Sequence, residues 1–429
     1  MGRNYHILGK DHTEELSEYL SRDGQLLLPL VELLETAEIA VDELIDIAGR
    51  STIEAVLKIS AQGVAGAKHQ GKRRGKIGWH GSQTGVVSLS DRKLRVKRPR
   101  IRRKGKGLDR EVIIPAYESM RGNESLGSRV LEILLAGVST RNYKKVLPQV
   151  AGTVGISKSS VSREFIEASA EELKQLCEKR LEDLELLVIY LDGMVFAEHH
   201  IIAAVGVDRK GYKHILGLAQ GSSENAAVCV DLLQDIVKRG LDPQQKLLFV
   251  IDGSKALRSA IDQVFGDRHP VQRCRNHKIK NVMDHLPDEL KDQVKAVMKA
   301  SWKLDAKEGM MRLKKQAQWL ETEYPSAAGS LLEGMEEMFT LNHLGLPPTL
   351  TRCLATTNII ESPNGGVRRR TGRVSRWKNG KMVLRWAASA FLSAEKNFRR
   401  IMGYKDLWIL EAVLGRSKVS QIDKKKKVA

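Results

Sequence analysis

The chain has 429 residues, 42% of them hydrophobic, so it can bury more than one sizeable core, which excludes wholesale disorder. Its 71 lysines and arginines outnumber its 52 acidic residues, giving a formal net charge of +19. This balance favours a polyanionic partner, nucleic acid before a membrane surface, and a basic protein without such a partner is the simpler alternative.

Targeting and redox signals are absent from the sequence pattern. The first twenty residues carry scattered charges without the apolar core of a signal peptide. No apolar run reaches the roughly 18 residues that a membrane helix needs. The four cysteines are too widely spaced for a disulfide framework; they are Cys177, Cys229, Cys274 and Cys353. We therefore expect a cytoplasmic protein with no membrane partner.

The first predicted elements are helices. Apolar residues recur at helical spacing over residues 12–66, and Gly49 is expected to end one helical run. This region is predicted to be a helical arm that binds DNA or a bundle that dimerises or supports the fold.

A strongly basic stretch follows at residues 71–110, where 15 Lys or Arg accompany only two acids. Leu94 and Val96 alternate with basic residues, which predicts short strands or a basic ribbon. Such dense positive charge favours contact with DNA phosphates, and a solvated linker is the alternative. The predicted contacts are Arg95, Lys97 and Arg98.

Residues 124–170 are predicted to form a helix-turn-helix. Gly152 and Gly155 mark the expected turn, and Pro148 disfavours the preceding helix. The second helix would expose Lys158, Ser159, Ser162 and Arg163 to DNA while Val161 and Phe165 pack inward. A plain helical hairpin is the alternative.

An alternating pattern of strands and helices begins at residue 186. Strands are predicted at 186–191, 200–207, 212–219, 246–251 and 269–274, with helices at 224–239 and 254–264. This order matches the ribonuclease H-like α/β fold. Residues 278–350 are helical throughout and predict an all-α insertion. A closing helix is expected at 357–369, with further helices at 380–414.

Two acids follow the apolar runs at the ends of the first and fourth predicted strands. Asp192 and Asp252 each precede a glycine, so both are expected at strand ends beside a glycine turn. In a ribonuclease H-like sheet these strands are neighbours, and the two carboxylates would face one cleft. Adjacent carboxylates need a cation, and two Mg²⁺ ions, with Mn²⁺ as a substitute, suit phosphoryl transfer.

The closing helix offers a third acid. Asn358, Glu361 and Arg368 share one helix face if the helix continues past Pro363. Glu361 would point at the metal. The neighbouring cations would approach DNA phosphates; they are Arg368, Arg369 and Arg370. Thr356 or Thr357 could cap this helix.

Several blocks of the sequence resemble the Mutator-type bacterial insertion-sequence transposases, which are DDE recombinases. They are YLDGM (190–194), VIDGSKALRSAI (250–261), VQRCRNHKIKNVMDHLP (271–287), ATTNIIESPNGGVRRRTGRVSRWKNG (355–380) and RWAASAFLSAEKNFRRIMGYKDL (385–407). The resemblance implies that Asp192, Asp252 and Glu361 are the catalytic, metal-binding DDE triad. The long gap before Glu361 fits a helical insertion.

Cys274 and His277 form a Cys-x-x-His pair that this family carries after its second Asp. The pair lacks a second pair at zinc-finger spacing, so we expect near-site support, together with Asn358, in preference to zinc. His277 touching the scissile phosphate is an alternative. Trp302 and Trp319 are expected in the core, or else to stack on an unstacked base. Arg373, Arg376 and Trp377 are interpreted as DNA-backbone contacts, or as a solvated basic loop.

The resemblance implies a bacterial, nucleoid-associated DNA transposase. It would bind terminal inverted repeats and target DNA, act as a homodimer or higher oligomer, and cleave and join strands by direct in-line phosphoryl transfer. A decayed transposase that regulates through DNA binding and a ribonuclease H-like nuclease are the alternatives. A haloacid dehalogenase-like phosphatase is disfavoured because Met194 stands where a second Asp is needed.

The predicted organisation joins a ribonuclease H-like catalytic domain with an all-α insertion to a mainly helical N-terminal DNA-binding region with a helix-turn-helix. Its segments are a helical region (1–66), a basic short-strand segment (67–120), the helix-turn-helix (121–183), the first part of the catalytic domain (184–277), the insertion (278–352), the closing helices (353–415) and a basic tail (416–429).

Overall fold

The computed structural model describes residues 41–68, 76–88, 93–105, 110–121, 124–138, 140, 153–154, 158–221 and 225–416. The predicted helices before residue 41, the turn residues Pro148, Gly152 and Gly155, and residues 417–429 lie outside this part of the chain. The chain divides into two compact units, Met1–Ala168 and Ser169–Ala429, and the finer seven-part division stays a prediction. None of the helices in this described part of the chain combines the length and the hydrophobicity that a membrane span requires.

A β-hairpin packed against helices forms the described core of the first unit. Its elements are α1 (Val41–Ala65), β1 (Ile77–Ser88), β2 (Lys93–Arg103) and α2 (Pro115–Arg121). β1 and β2 pair antiparallel, and Leu94 and Val96 of β2 pack in one cluster with Leu57 of α1. The prediction of strands in the basic stretch is therefore confirmed. Gly49 lies inside α1, so the helix end expected there is wrong: one glycine weakens a helix without ending it when the flanking turns continue.

The rest of the first unit holds parts of the predicted helix-turn-helix. Its elements are α3 (Glu124–Leu135), β3 (Thr153–Val154) and α4 (Lys158–Glu178), and α4 continues into the second unit. β3 pairs with the start of β2, where Lys93 lies beside Val154. The connection from residue 141 to residue 152 lies outside the described residues, so the helix-turn-helix stays a prediction.

A five-stranded sheet is the centre of the second unit. Its strands are β4 (Leu186–Phe196), β5 (His199–Asp208), β6 (Lys213–Gly221), β7 (Leu248–Ile251) and β8 (Val271–Arg273), in the order β6-β5-β4-β7-β8. β4, β5 and β6 form an antiparallel meander, and β7 and β8 add parallel to β4. The intervening helices are α5 (Ala226–Lys238) and α6 (Lys255–Phe265). Each of these strands and helices was predicted in this order.

One boundary of the predicted sheet is wrong. β4 does not end at Leu191 but continues through Asp192 and Gly193 to Phe196, paired with β5 all the way. Gly193 is therefore a strand residue that lies beside Ile202, and it makes no turn. What ends near Asp192 is only the pairing with the short strand β7. A hairpin partner kept the strand extended where the sequence pattern indicated a turn.

Helices follow one another over residues 275–354, which includes the range 278–350 predicted to be helical. They are α7 (Arg275–Met283), α8 (Asp288–Ser301), α9 (Ala306–Glu321), α10 (Pro325–Leu332), α11 (Met335–Met338), α12 (Thr340–His343) and α13 (Pro348–Leu354). Most of them share a core of their own, which includes Met298, Leu313 and Phe339.

Three further helices close the second unit. They are α14 (Asn358–Thr371), α15 (Gly380–Glu395) and α16 (Leu407–Val413), the last preceded by a 3₁₀ turn at Tyr404–Asp406. Pro363 lies inside α14 without ending it. Its ring is buried together with Ile360, Asn364 and Val367, so the packed face of the helix holds the chain helical despite the missing N–H.

Candidate active site

Two carboxylates lie next to each other at the centre of the sheet. β4 and β7 are parallel, and Leu191 and Ile251 form the last pair between them. Asp192 directly follows Leu191, and Asp252 directly follows Ile251, so the two acids lie on adjacent chain segments. Leu191 belongs to the core that includes residues of α5 and α6. Because side chains alternate along a strand, Asp192 faces the opposite side of the sheet. Asp192 is buried, and Asp252 is half-buried.

The loop after β7 holds Asp252 in a tight local arrangement. The backbone N–H of Ser254 donates to Oδ1 of Asp252 (2.9 Å), and Ser254 then caps α6 by accepting from the N–H of Leu257. Gly253 has a φ of +111°, and a Cβ there would collide with the guanidinium of Arg273. Glycine is therefore required at this turn.

α14 packs against β4 and brings two more polar side chains to the same place. Nδ2 of the buried Asn364 donates to Oδ2 of Asp192 (2.6 Å). Oδ1 of Asn364 has no hydrogen-bond partner within the described part of the chain. Glu361 lies one turn earlier on the same helix, so the third predicted acid and the amide that orients the first acid come from one element.

The charges of the neighbouring residues act on Asp192. The pKa of Asp192 is raised to about 7, first by burial and then by the negative charge of Asp252, with His277 opposing the rise and Glu361 adding to it. The structure therefore brings Asp192, Asp252 and Glu361 close enough together for the other two acids to act on the pKa of Asp192, and their catalytic role stays a prediction. His277 offsets only part of this effect, and a bound cation would supply further positive charge.

Next to Glu361 lies a compact cluster around the hydroxyl of Thr357. Oγ1 of Thr357 lies 2.5 Å from Oε1 of Glu361, 3.2 Å from Nδ1 of His277 and 3.3 Å from Sγ of Cys274. The backbone N–H of Thr357 also donates to Sγ of Cys274 (3.4 Å). The Cys-x-x-His pair is thus in direct contact with Thr357, the N-cap residue of α14.

The pKa values of this cluster reflect its hydrogen bonds. The pKa of His277 is raised to about 9, mainly by its hydrogen bond to Cys274, against the cost of burial. Burial by itself would raise the pKa of Cys274, but hydrogen bonds with His277 and Thr357 outweigh it, so the pKa of the thiol is lowered. His277 is therefore a positive charge at neutral pH, beside Glu361 and near Asp252.

Two buried cations near the start of α7 connect that helix to residues 330–338 of the later helices. Nζ of Lys278 donates to the carbonyls of Ser330 and Glu333, and burial lowers its pKa to about 8. Arg275 donates to the carbonyl of Met338 (2.9 Å), and burial lowers its pKa to about 10. These carbonyls lie at or just beyond helix ends, which have no partner inside the helix. The helices are thereby fixed directly beside Cys274 and His277.

Two groups of side chains have atoms that could bind a metal ion. Asp192, Asp252 and Glu361 offer only carboxylate oxygens, which suit a hard divalent cation such as Mg²⁺ or Mn²⁺. The burial and raised pKa of Asp192 agree with that fit. Cys274, His277 and Glu361 also have ligand atoms within 4.8 Å of one another, and they would suit zinc. The Thr357 hydroxyl, however, contacts all three of these residues.

The predicted DNA contacts of the second unit have different surroundings. Arg368 and Arg369 are exposed on α14, whereas Arg370 is half-buried and donates to the carbonyl of Gly366 (3.2 Å). Arg373 and Arg376 are exposed on the following loop.

Trp377 lies in the same loop but is half-buried. Its ring packs edge-on against Phe196 at the end of β4, with 5.5 Å between ring centroids, and also near Trp386. Trp377 therefore anchors the basic loop to the strand that carries Asp192.

The two tryptophans of residues 275–354 differ in burial. Trp302 is buried in the core beneath the guanidinium of Arg275, as expected. Trp319 is 55% exposed and lines an opening of about 360 Å³ with Arg312 and Lys315, so the core expectation is wrong for this residue. Trp319 is in the last turn of α9 and does not belong to the buried face of that helix.

In the first unit, the predicted DNA-facing residues of α4 are exposed. They are Lys158, Ser159, Ser162 and Arg163, while Val161 and Phe165 are buried as predicted. On β2, Arg95 and Lys97 are exposed. Arg98 is half-buried, with its guanidinium 4.2 Å from the centre of the Tyr117 ring.

Sequence reasoning missed two residues of the site. Asn364 was given no role, and Thr357 was considered only as a helix cap. Asn358, predicted as near-site support, is exposed and accepts from Asn276 (3.3 Å). The signal for Asn364 was its spacing of three residues from Glu361 on one helix, but the partner, Asp192, is distant in the sequence.

Comparisons with known proteins agree on a class. The chain is 26% identical to the transposase for insertion sequence element ISRM5 of Rhizobium meliloti over 370 residues, which cover 83% of this chain and 88% of that one. It is 27% identical to the transposase for IS256 in transposon Tn4001 of Staphylococcus aureus, over 58% of this chain and 65% of that one. It is 26% identical to the transposase for IS905 of Lactococcus lactis, over 67% and 72%.

The relatives are thus transposases of insertion sequences. The family model "Transposase, Mutator family" matches residues 24–400. The chain belongs to the Mutator family of transposases, as the motif blocks indicated.

Proposed function

We propose that this protein is the DNA transposase of a bacterial insertion sequence and that its second unit is a ribonuclease H-like catalytic domain with a DDE active site. The observation that carries the proposal is the convergence of Asp192, Asp252 and Glu361 from β4, β7 and α14 in a member of a transposase family. The reaction is cleavage and joining of DNA strands by in-line phosphoryl transfer.

The three carboxylates would hold two Mg²⁺ ions, or Mn²⁺ in their place. Bound ions of this kind activate an attacking oxygen and neutralise charge on a leaving oxygen. The raised pKa of Asp192 supports this role, because a buried acid surrounded by other acids needs a cation. No serine or tyrosine nucleophile is required, because water and then a DNA 3′-OH are the attacking groups.

The side chains around the acids position them. Asn364 holds one oxygen of Asp192, and the N–H of Ser254 holds one oxygen of Asp252. A cation would bind these carboxylates in the orientation that the hydrogen bonds give them. Positioning of this kind keeps reacting groups in the productive geometry before substrate arrives.

The exposed cations of the second unit bind the DNA backbone near the reacting phosphate. Arg368 and Arg369 are two turns beyond Glu361 on α14, and Arg373 and Arg376 lie on the loop that Trp377 anchors to β4. Guanidinium groups pair with phosphate oxygens through two parallel hydrogen bonds.

The first unit recognises DNA. The exposed face of β2 with Arg95 and Lys97, and the start of α4 with Lys158, Ser159, Ser162 and Arg163, are the surfaces we assign to the terminal inverted repeats. Since two ends of an element must be paired before joining, the active form is a homodimer or higher oligomer on DNA.

The test uses DNA duplexes from both edges of the gene that encodes this chain, where inverted repeats are expected. Labelled duplexes are incubated with Mg²⁺ and the wild-type protein, Asp192→Asn, or the matched control Asp292→Asn on the exposed side of α8. We expect a nick at one discrete position and joined products with the wild type and the control only.

Other outcomes point to the rival functions. Tight, specific binding with no nick in either Mg²⁺ or Mn²⁺ would identify a decayed transposase that acts as a regulator. Discrete nicks that never yield joined products, even from a duplex supplied with a free 3′-OH, would identify a nuclease.

A further inference from the structure

A buried hydroxyl at the start of α14 is used in an unusual way. Thr357 is fully buried and occupies the N-cap position, where a threonine side chain normally accepts a hydrogen bond from the first turn of its helix. Here the side chain makes no such bond. Its hydroxyl instead lies within hydrogen-bond distance of Glu361, His277 and Cys274. The usual structural reason for a threonine at this position is therefore missing.

The hydroxyl has one proton and two lone pairs, which fixes its roles. The shortest contact, 2.5 Å, is with the carboxylate of Glu361, so the proton is donated there. The ring N–H at Nδ1 of His277 then donates to the lone pairs of Oγ1 at 3.2 Å. Sγ of Cys274 accepts from the backbone N–H of Thr357 and fixes that residue against α7. The result is a hydrogen-bond chain from α7 through Thr357 to Glu361.

Glu361 needs such a restraint. Its side chain is 40% exposed, and His277 reaches it only at 3.8 Å. A glutamate with this exposure would sample several rotamers, and holding one costs conformational entropy at each turnover. A buried donor at 2.5 Å confines one carboxylate oxygen before a cation or DNA binds.

We infer that Thr357 is a positioning residue through which the Cys274–His277 pair holds Glu361, and that this pair is not itself a metal site. The inference rests on the proposed function of Glu361. A zinc ion would bind Sγ, a ring nitrogen and a carboxylate oxygen at about 2.0–2.3 Å. Those three atoms lie within 4.8 Å of one another, and Oγ1 of Thr357 contacts the side chains of all three residues. An ion between them would have to displace the hydroxyl and leave a buried polar group unpaired.

The experiment compares Thr357→Val, which keeps the shape and removes the hydroxyl, with Thr357→Ser, which keeps the hydroxyl. Thr356→Val makes the same change one residue away and is the matched control. Three properties are measured on the full chain: DNA cleavage as a function of Mg²⁺ concentration, stabilisation against heat by Mn²⁺ without DNA, and zinc content of the purified protein.

For Thr357→Val we expect cleavage to fall about 10- to 100-fold, a higher Mg²⁺ requirement and a smaller Mn²⁺ stabilisation, since these are the usual losses when a group that orients a metal ligand is removed. Thr357→Ser and Thr356→Val should behave like the wild type. Zinc should be far below one equivalent in every protein.

Three results would overturn the inference. They are a Thr357→Val protein with wild-type Mn²⁺ stabilisation, a Thr357→Ser protein as defective as Thr357→Val, and one equivalent of zinc that Cys274→Ser removes. Because Mn²⁺ stabilisation is measured without DNA, the inference can be separated from the proposed function. A wild type that cleaves no DNA but shows Thr357-dependent Mn²⁺ binding would contradict only the proposed function.

Discussion

The hairpin of the first unit and the central sheet of the second unit use charge in opposite ways. β2 alternates buried apolar residues with exposed cations such as Arg95 and Lys97, so its charges stay hydrated and add up over a surface. The first seven residues of β4 are buried on both faces, and the strand carries one acid, Asp192, at their end. Hydrated charges on a surface suit attraction of a polyanion, whereas one buried, hydrogen-bonded acid suits chemistry at a fixed point.

The largest expected effect comes from removing one of the three acidic charges of the candidate active site. Asp252→Asn, Asp192→Asn and Glu361→Gln should each lower strand cleavage by more than about a thousandfold, since the acids act as one unit. DNA affinity should change little, because none of these acids lies on the surfaces assigned to binding. Cleavage and mobility-shift assays on the same duplex check both statements. Equal loss of binding in all three variants would make the acids structural.

The next effect concerns how the buried acid is held. Asn364→Leu keeps the approximate volume but removes the amide that donates to Asp192, and we expect cleavage about 10- to 100-fold slower. Ser362→Ala, an exposed residue on the same helix, should have no effect. Activity of Asn364→Leu equal to that of the wild type at every Mg²⁺ concentration would show that Asp192 needs no such support.

The pH dependence of stability tests the burial of Asp192. The pKa of its carboxyl is about 7 when folded and 3.8 in the absence of such effects, so the unfolded chain ionises first and stability is lost as pH rises from about 4 to 7. Asp192→Asn removes this loss. Without metal at pH 8, the variant should therefore melt at a higher temperature than the wild type. Its free energy of unfolding should be larger by up to about 4 kcal/mol.

That advantage should shrink at pH 5 and after addition of Mg²⁺, which stabilises only the wild type. Thermal melts in a chelator and in Mg²⁺ measure it. A difference in melting temperature that is the same at pH 5 and pH 8 would contradict the raised pKa.

The smallest effect is expected at the hairpin. Arg95→Ala combined with Lys97→Ala should weaken DNA binding several-fold and reduce the slope of log affinity against log salt by about 1.8, or about 0.9 for each phosphate contact. Arg100→Ala is the matched control, because that guanidinium already pairs with Glu111. An unchanged salt slope in the double variant would remove this face from the DNA interface.

Much of this architecture follows from local sequence. Apolar runs that end in acids predicted β4 and β7, and helical periodicity predicted the helices of residues 275–354. Spacing along one helix face predicted that Glu361 and Arg368 belong to a single helix, although Pro363 argued against a continuous helix; the burial of that proline in a packed face outweighed the lost hydrogen bond.

What the sequence could not provide depends on partners that are distant in the chain. Gly193 is in a strand because β5 returns beside it, Asn364 matters because Asp192 is its partner, and Trp377 is an anchor because Phe196 receives it. Each signal is a single polar, glycine or aromatic residue whose role is decided by tertiary contact.

The most direct measurement maps the cation on the polypeptide itself. Fe²⁺ is added in place of Mg²⁺, with peroxide and ascorbate, so that radicals formed at the bound ion cut the nearby backbone, and the fragments are identified by mass spectrometry. We predict cuts close to Asp192, Asp252 and Glu361 together, suppressed by excess Mg²⁺ and lost in Asp252→Asn. Cuts confined to other parts of the chain, or cuts that persist in Asp252→Asn, would contradict a metal site shared by β4, the loop after β7 and α14.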